Sequence, residues 1–240
     1  MPQRRICLWS SPRNISTALM YSFAQRKDTR VIDEPLYAHY LRVSNAHHPG
    51  RDEILSDMEN DGEKVVTEII EREYPEEVIF FKQMTHHLTG IDESFLERVS
   101  NIFLIRNPAQ IISSFAEVIP DVTMRDIGIE RQFDLYNNLK ASGQHPVILD
   151  SGEILKDPEK VLHTLCSTVG IPFDYLMLHW KAGPLKEDGI WAKYWYENVH
   201  CTTGFKIQKT SNRILPTQLK PLSEKCMPYY EKMFEDSIKA

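Results

Sequence analysis

Apolar positions along the chain alternate between short unbroken runs and longer stretches with helical spacing. Arg5–Trp9, Arg30–Ile32, Val78–Gln83, Asn101–Ile105 and Pro146–Leu149 read as strands. After Asn101, "NIFLI" is continuously apolar, as is "PVIL", the pattern of strands covered on both faces. Amphipathic segments of helical length separate them. This order predicts one α/β domain over residues 1–240, a central, mostly parallel sheet with helices on both faces. No internal repeat or low-complexity segment interrupts it.

Three helix starts are marked by their chemistry. In "RNPAQIISSF" Asn107 is placed to cap and Pro108 suits the first helical position. Ile111, Ile112, Phe115 and Val118 then form an apolar stripe. In "LKDPEKVLHTLCSTVGIPF" Asp157 caps, Val161, Leu162, Leu165 and Val169 face inward, and Gly170 with Pro172 ends the helix. The third start follows the first strand, where Ile15, Ala18, Leu19 and Phe23 fall on one face.

Composition narrows the class. With 42% hydrophobic and 26% charged residues the chain is an ordinary soluble protein, and a net charge of −6 argues against a general nucleic-acid binder. No run approaches the roughly 20 apolar residues of a membrane span, and the apolar run after Arg4 and Arg5 is too short for an export signal. Cys7, Cys166, Cys201 and Cys226 are scattered without paired spacing, which predicts free, mostly buried thiols and a cytoplasmic setting.

The candidate chemistry begins at "CLWSSPRNISTALMYSF". A helix N-terminus after a parallel strand presents unpaired N–H groups and a partial positive charge. Arg13 adds a full charge there, and Ser16 and Thr17 add hydroxyls within the first turn. The expected glycines are missing. Asn14 is the residue best able to take the left-handed backbone, and Ile15 is expected to start the helix with ordinary dihedrals. There is no G-x-x-x-x-G-K-[ST], which disfavours an ATP or GTP hydrolase.

Taken in order, these pieces resemble the sulfotransferase family, from about Cys7 to Phe173. "SSPRNISTAL" resembles its 5′-phosphosulfate loop, P-[KR]-[SA]-G-[ST]-[ST], with Asn14 and Ile15 in place of the small residue and glycine. "LIRNPAQIISSF" resembles its 3′-phosphate motif, with Arg106 ending a strand and Ser114 eight residues on. "VILDSGEILKDPEKVLHTLCSTVGIPF" is similar to a later strand and helix of the family. The resemblance implies a single sulfotransferase-like domain with a P-loop NTPase-like fold. It implies 3′-phosphoadenylyl sulfate (PAPS) as co-substrate, no metal, and transfer of a sulfuryl group to a hydroxyl or amine of a small molecule. It implies a donor site of Arg13, Asn14, Ile15, Ser16, Thr17, Arg106 and Ser114, with Arg13 also catalytic at the leaving phosphate. The loop and the Arg106–Ser114 corner would grip opposite ends of one nucleotide. In "TTGFK" the family's late basic loop is best matched by Lys206, with Lys209 and Arg213 as substitutes and Phe205 over the adenine.

The base has two sources under the same resemblance. Glu34 in "VIDEPLYAHYL" resembles the glutamate of some carbohydrate sulfotransferases, and His86 or His87 in "FFKQMTHHL" resembles the histidine of cytosolic members. On extended backbone the two histidines would point to opposite sides. Lys82 before them either approaches a ligand or is a solvated strand end. Trp191, Tyr194 and Trp195, at helical spacing, are expected in the core. The segment 37–61, with His39, Arg42, His47, His48 and Arg51, predicts a polar acceptor, no nucleic-acid or membrane partner is expected, and a homodimer is admitted. Two rival readings use the same sheet: a small-molecule kinase, and a nucleotide-binding homologue without turnover.

Overall fold

The computed structural model describes residues 3–116, 122–206 and 215–240. Five strands, β1 (Arg4–Ser10), β2 (Thr29–Asp33), β3 (Val78–Met84), β4 (Ser100–Ile105) and β5 (Val147–Asp150), form one sheet in the order β2-β3-β1-β4-β5. Each strand read from the unbroken apolar runs is present within a residue or two. Pairs β2–β3 and β4–β5 run parallel. Every residue from Val78 to Gln83 and from Asn101 to Ile105 is buried, as both-face coverage requires. The fold is an α/β sheet flanked by helices.

The chain forms two compact units: Met1–Leu8 with Ser16–Asn101 and Asp174–Gly204, and Trp9–Ile15 with Ile102–Phe173 and Phe205–Ala240. In the first, the helix Ser16–Phe23 packs on β3 through Phe23, stacked on Phe80 at 4.1 Å between ring centres. A second apolar cluster joins Tyr37, Ala38, Leu41 and Ile54 to Trp191, Ala192 and Tyr196. In the second unit the helix Lys220–Glu235 packs against helices Pro108–Phe115 and Ile129–Ala141 and against β5.

The predicted caps form. Asn107 accepts from Ala109 N at 3.0 Å and Asp157 from Lys160 N at 3.0 Å. Gly170 takes φ +73°, the left-handed turn that lets Ile171 N–H return to Cys166 O and closes the helix. All four cysteines are free, with only Cys201 exposed. Among the described residues no helix is long and apolar enough to cross a membrane.

Three local expectations are corrected. In Ser16–Phe23, Met20, Tyr21 and Ser22 are buried beside Leu19 and Phe23, while Ile15 and Ala18 are half-buried, so the helix is covered nearly all round rather than on one stripe. Tyr194 is 45% exposed and only Trp191 of its trio is fully in the core, because the helix there is one short turn, Ala192–Trp195, too brief to hold a face. His86 and His87 do not alternate across a strand: β3 ends at Met84 and both sit in a tight turn, Thr85–Leu88, with rings at 90° and 4.8 Å apart. Val118, Lys209 and Arg213 lie outside the described residues.

Candidate functional site

The sequence places Arg13, Asn14 and Ile15 between β1 and the helix that starts at Ser16, and the structure ties this loop to β4. Asn14 Nδ2 donates to Leu104 O at 3.0 Å, and Asn14 Oδ1 accepts from Ile15 N at 2.9 Å. The same Leu104 carbonyl accepts from Gln132 Nε2, which also donates to Trp9 O at 3.0 Å. The loop is thus pinned at both ends by amide side chains. The left-handed residue is Arg13, with φ +57°, and not Asn14 as expected. Asn14 is instead engaged through both of its side-chain polar atoms. A non-glycine residue held there costs about 1 kcal/mol, strain of the kind that collects at functional loops.

Arg13 is tied directly to Arg106 and Ser114. Arg13 Nε donates to Ser114 Oγ at 3.0 Å, and Arg106 donates to Arg13 O at 2.6 Å and to Gln110 Oε1 at 3.1 Å. The Arg13 guanidinium thus meets the Ser114 hydroxyl, while the Arg106 guanidinium holds the Arg13 backbone. Ser114 is buried and is not bonded back along its own helix, whereas its neighbour Ser113 is, to Ala109 O at 2.7 Å. Ser11, nearly fully buried in the same loop, has a hydroxyl without a protein partner. Such a set suits a phosphate, which offers acceptor oxygens to charged donors. Ser16 and Thr17 fall in the first helical turn as predicted, Ser16 buried and Thr17 half-buried. Lys206 is exposed, and Phe205 half-buried.

A second cluster forms within the other unit, and its geometry follows from strand register. Asp33 of β2 lies beside Lys82 of β3 in the parallel pair, so their side chains share a face. Glu34 follows, its N–H donating to Lys82 O at 2.8 Å and its φ at +39°. Lys82 is completely buried, so it is no solvated strand end. Its ammonium donates to Asp33 Oδ1 at 2.9 Å, to Tyr196 OH at 2.7 Å and to Glu34 Oε1. Glu34 Oε2 lies 3.8 Å from His87 Nε2.

Burial and charge set the protonation of these groups. Burial pushes the Glu34 carboxyl above the usual range, Lys82 opposes this, and Asp33 reinforces it. Burial holds His87 well below the ordinary histidine value, helped by His86 and Lys82, so His87 is neutral near pH 7. Burial alone would lower the Lys82 value, but the two carboxylates outweigh it and keep the ammonium charged. His87 is sandwiched by Tyr37 and Tyr40, both stacked at 5.1 Å, and its Nδ1 is buried without a hydrogen-bond partner. His86 is half-buried, edge-on to Tyr40 at 4.6 Å.

The polar segment 37–61 is partly turned inward. His39 is buried, with Nδ1 accepting from Gly62 N at 3.1 Å, which leaves Nε2 to donate to Thr89 O at 2.9 Å. His48 Nδ1 lies 2.8 Å from Tyr37 OH. Arg42 and His47 are exposed. Among the described residues no group of His, Cys, Asp and Glu is arranged to hold a metal ion.

The sequence reading missed Asp33 and Tyr196. Asp33 carried a signal, an acid at the end of a strand next to Glu34. Tyr196 carried none, since it arrives from a segment distant in the chain.

A family model described as "Sulfotransferase domain" matches residues 4–237. The chain is 42% identical over 223 residues to an Arabidopsis thaliana protein named "Branched-chain-amino-acid aminotransferase-like protein 1". That match covers 92% of this chain and 40% of the relative, so the chain spans less than half of the relative's length. The fold is similar to the sulfotransferase domain of the Synechococcus PCC 7002 olefin synthase, with TM-score 0.62, 16% identity, and 96% of this chain and 95% of that one covered. It is similar also to the sulfotransferase domain of the curacin biosynthetic pathway, with TM-score 0.60, 17% identity, and 96% and 98% covered. The likeness to those domains is one of fold, an α/β sheet flanked by helices.

Proposed function

The chain belongs to the sulfotransferase domain family, and on that premise we propose that it moves a sulfuryl group from PAPS to a hydroxyl or amine of a small polar acceptor. The acceptor oxygen or nitrogen forms the new bond to sulfur as the bond from sulfur to the phosphate oxygen breaks. The leaving phosphate keeps that electron pair, and the acceptor's proton passes to a base. Such a displacement needs orientation, a proton acceptor and positive charge on the leaving oxygen.

The donor roles are assigned to the arginine corner. Arg13 and the N–H groups of its loop stabilise the leaving phosphate, while Arg106 and Ser114 take the 3′-phosphate, with Lys206 assigned to the same group. The proton role is assigned to Glu34. Its raised carboxyl is a stronger base near neutrality than an ordinary one, whereas His87, held neutral by a lowered value, is a weak one.

The observation that carries the reading is the Arg13–Ser114 bond beside Arg106, which gathers the charge and hydroxyl that a nucleotide phosphate requires. The test is thermal protection by adenosine 3′,5′-bisphosphate measured beside ATP with magnesium. Protection by the bisphosphate is expected. Protection by ATP–magnesium alone would replace this reading with that of a kinase.

A further inference from the structure

Two carboxylates, Asp33 and Glu34, share one buried ammonium, and the hydrogen bonds around them are unequal. Asp33 accepts three: from Lys82 Nζ on Oδ1 at 2.9 Å, and on Oδ2 from Tyr196 OH at 2.7 Å and Gly189 N at 3.1 Å. Glu34 accepts from Lys82 on Oε1, and its Oε2 faces His87 Nε2 across 3.8 Å, beyond hydrogen-bond reach.

The direction of the Tyr196 proton follows by elimination. Its oxygen accepts from Lys82 at 2.7 Å and from Trp191 Nε1 at 3.0 Å. An ammonium and an indole N–H only donate. The hydroxyl proton therefore goes to Asp33 Oδ2, its remaining neighbour in the network. Lys82 in turn has all three of its N–H groups engaged, by Asp33, Glu34 and Tyr196. Asp33 is thus the carboxylate that collects three donors, and Glu34 is the member left with a lone donor.

We propose that Asp33 is a positioning residue: by drawing part of the Lys82 charge to itself, with Tyr196 and Trp191 holding it in place, it leaves Glu34 able to accept the acceptor's proton. The proposal rests on Glu34 being the base. Without Asp33 the whole Lys82 charge falls on Glu34, which then holds a proton less readily. The titratable groups facing Glu34 are Lys82 from β3, His87 from the turn Thr85–Leu88, Tyr37 from the helix Tyr37–Ser44, Tyr196 from the segment Glu197 follows, and Asp33 itself. Of these, Asp33 is the one whose negative charge raises Glu34.

The experiment uses the full chain labelled with carbon-13 at the glutamate carboxyls, with the Glu34 signal identified by its loss in Glu34→Gln. Its titration midpoint is followed in wild type, Asp33→Asn and Asp33→Ser. Both substitutions remove the same charge with different packing, so a folding defect in one leaves the other to decide. The midpoint is expected to move to lower pH in the variants. An unchanged or raised midpoint overturns the proposal, since a merely structural Asp33 would lower stability without moving it. The underlying base assignment is judged separately, by sulfuryl transfer from labelled PAPS to a panel of alcohols and amines. A loss of at least about 100-fold in Glu34→Gln is the expected signature of a lost base. Wild-type transfer in Glu34→Gln removes the functional premise and overturns the positioning role, even where the titration shift is found.

Discussion

Lys82→Met removes the ammonium at the centre of the buried network and keeps an unbranched stem in its place. Lys82 is fully buried, and the Asp33 and Glu34 side chains are 1% and 7% exposed. The variant therefore leaves two carboxylates in a site with almost no water and no counter-charge. Removing one partner of a buried ion pair costs about 3–5 kcal/mol, against about 0–1 kcal/mol for a surface pair. For a chain of this size each kcal/mol is worth about 2–4 °C in Tm, so a fall of about 6–20 °C is expected. The loss also depends on pH. With Lys82 gone both carboxylates ionise less readily in the folded chain than in the unfolded one. The folded state then binds more protons, and stability falls as pH rises above the ordinary carboxylate range. Lys82 itself contributes nothing to this slope, because its raised value keeps it charged in both states until alkaline pH. Urea titrations of wild type and variant at several values between about pH 5 and 8 measure both effects, with exposed Lys27→Met as control. A deficit below about 1 kcal/mol, or one equal at all pH values, would refute the account of a dry, shared counter-ion.

Three further outcomes follow from the same geometry. Ser114→Ala is expected to weaken bisphosphate binding about tenfold while Ser113→Ala leaves it unchanged, by calorimetry, because the Ser114 hydroxyl is assigned to the 3′-phosphate whereas Ser113 is bonded to its own helix. Arg13→Ala is expected to lower kcat of sulfuryl transfer about 100-fold or more and to weaken bisphosphate binding far less; equal losses in both would make Arg13 an anchor rather than a stabiliser of the leaving group. Glu34, raised in the folded chain, lowers stability as pH climbs from the ordinary carboxylate value through its own raised one. Glu34→Gln should flatten that part of the stability–pH curve in thermal melts, and an unaltered slope would contradict the direction assigned to this group.

Much of the frame was legible in the chain. The apolar runs Val78–Phe81 and Ile102–Ile105 became buried strands, as a continuously apolar stretch covered on both faces of a sheet does. Asn107 with Pro108, and Asp157 with Gly170, bounded their helices as read, since capping is decided within a few residues. Arg13, Arg106 and Ser114 were singled out by the family resemblance, and the structure ties them together by hydrogen bonds. What the resemblance did not carry was that Arg13 would turn left-handed and reach Ser114, because that depends on where β4 and Gln132 hold the loop.

The amino-acid order by itself determined the strands, their caps and the chemical kinds present in each loop, since propensity, capping and apolar pattern act over short stretches of chain. The tertiary structure alone decided which carboxylate collects the larger share of donors. That rests on β2 and β3 pairing in register and on Tyr196 and Gly189 arriving from far along the chain to donate to Asp33. Proton affinity is set by burial and by neighbours within a few ångströms, and neighbours of that kind exist only once the chain has folded.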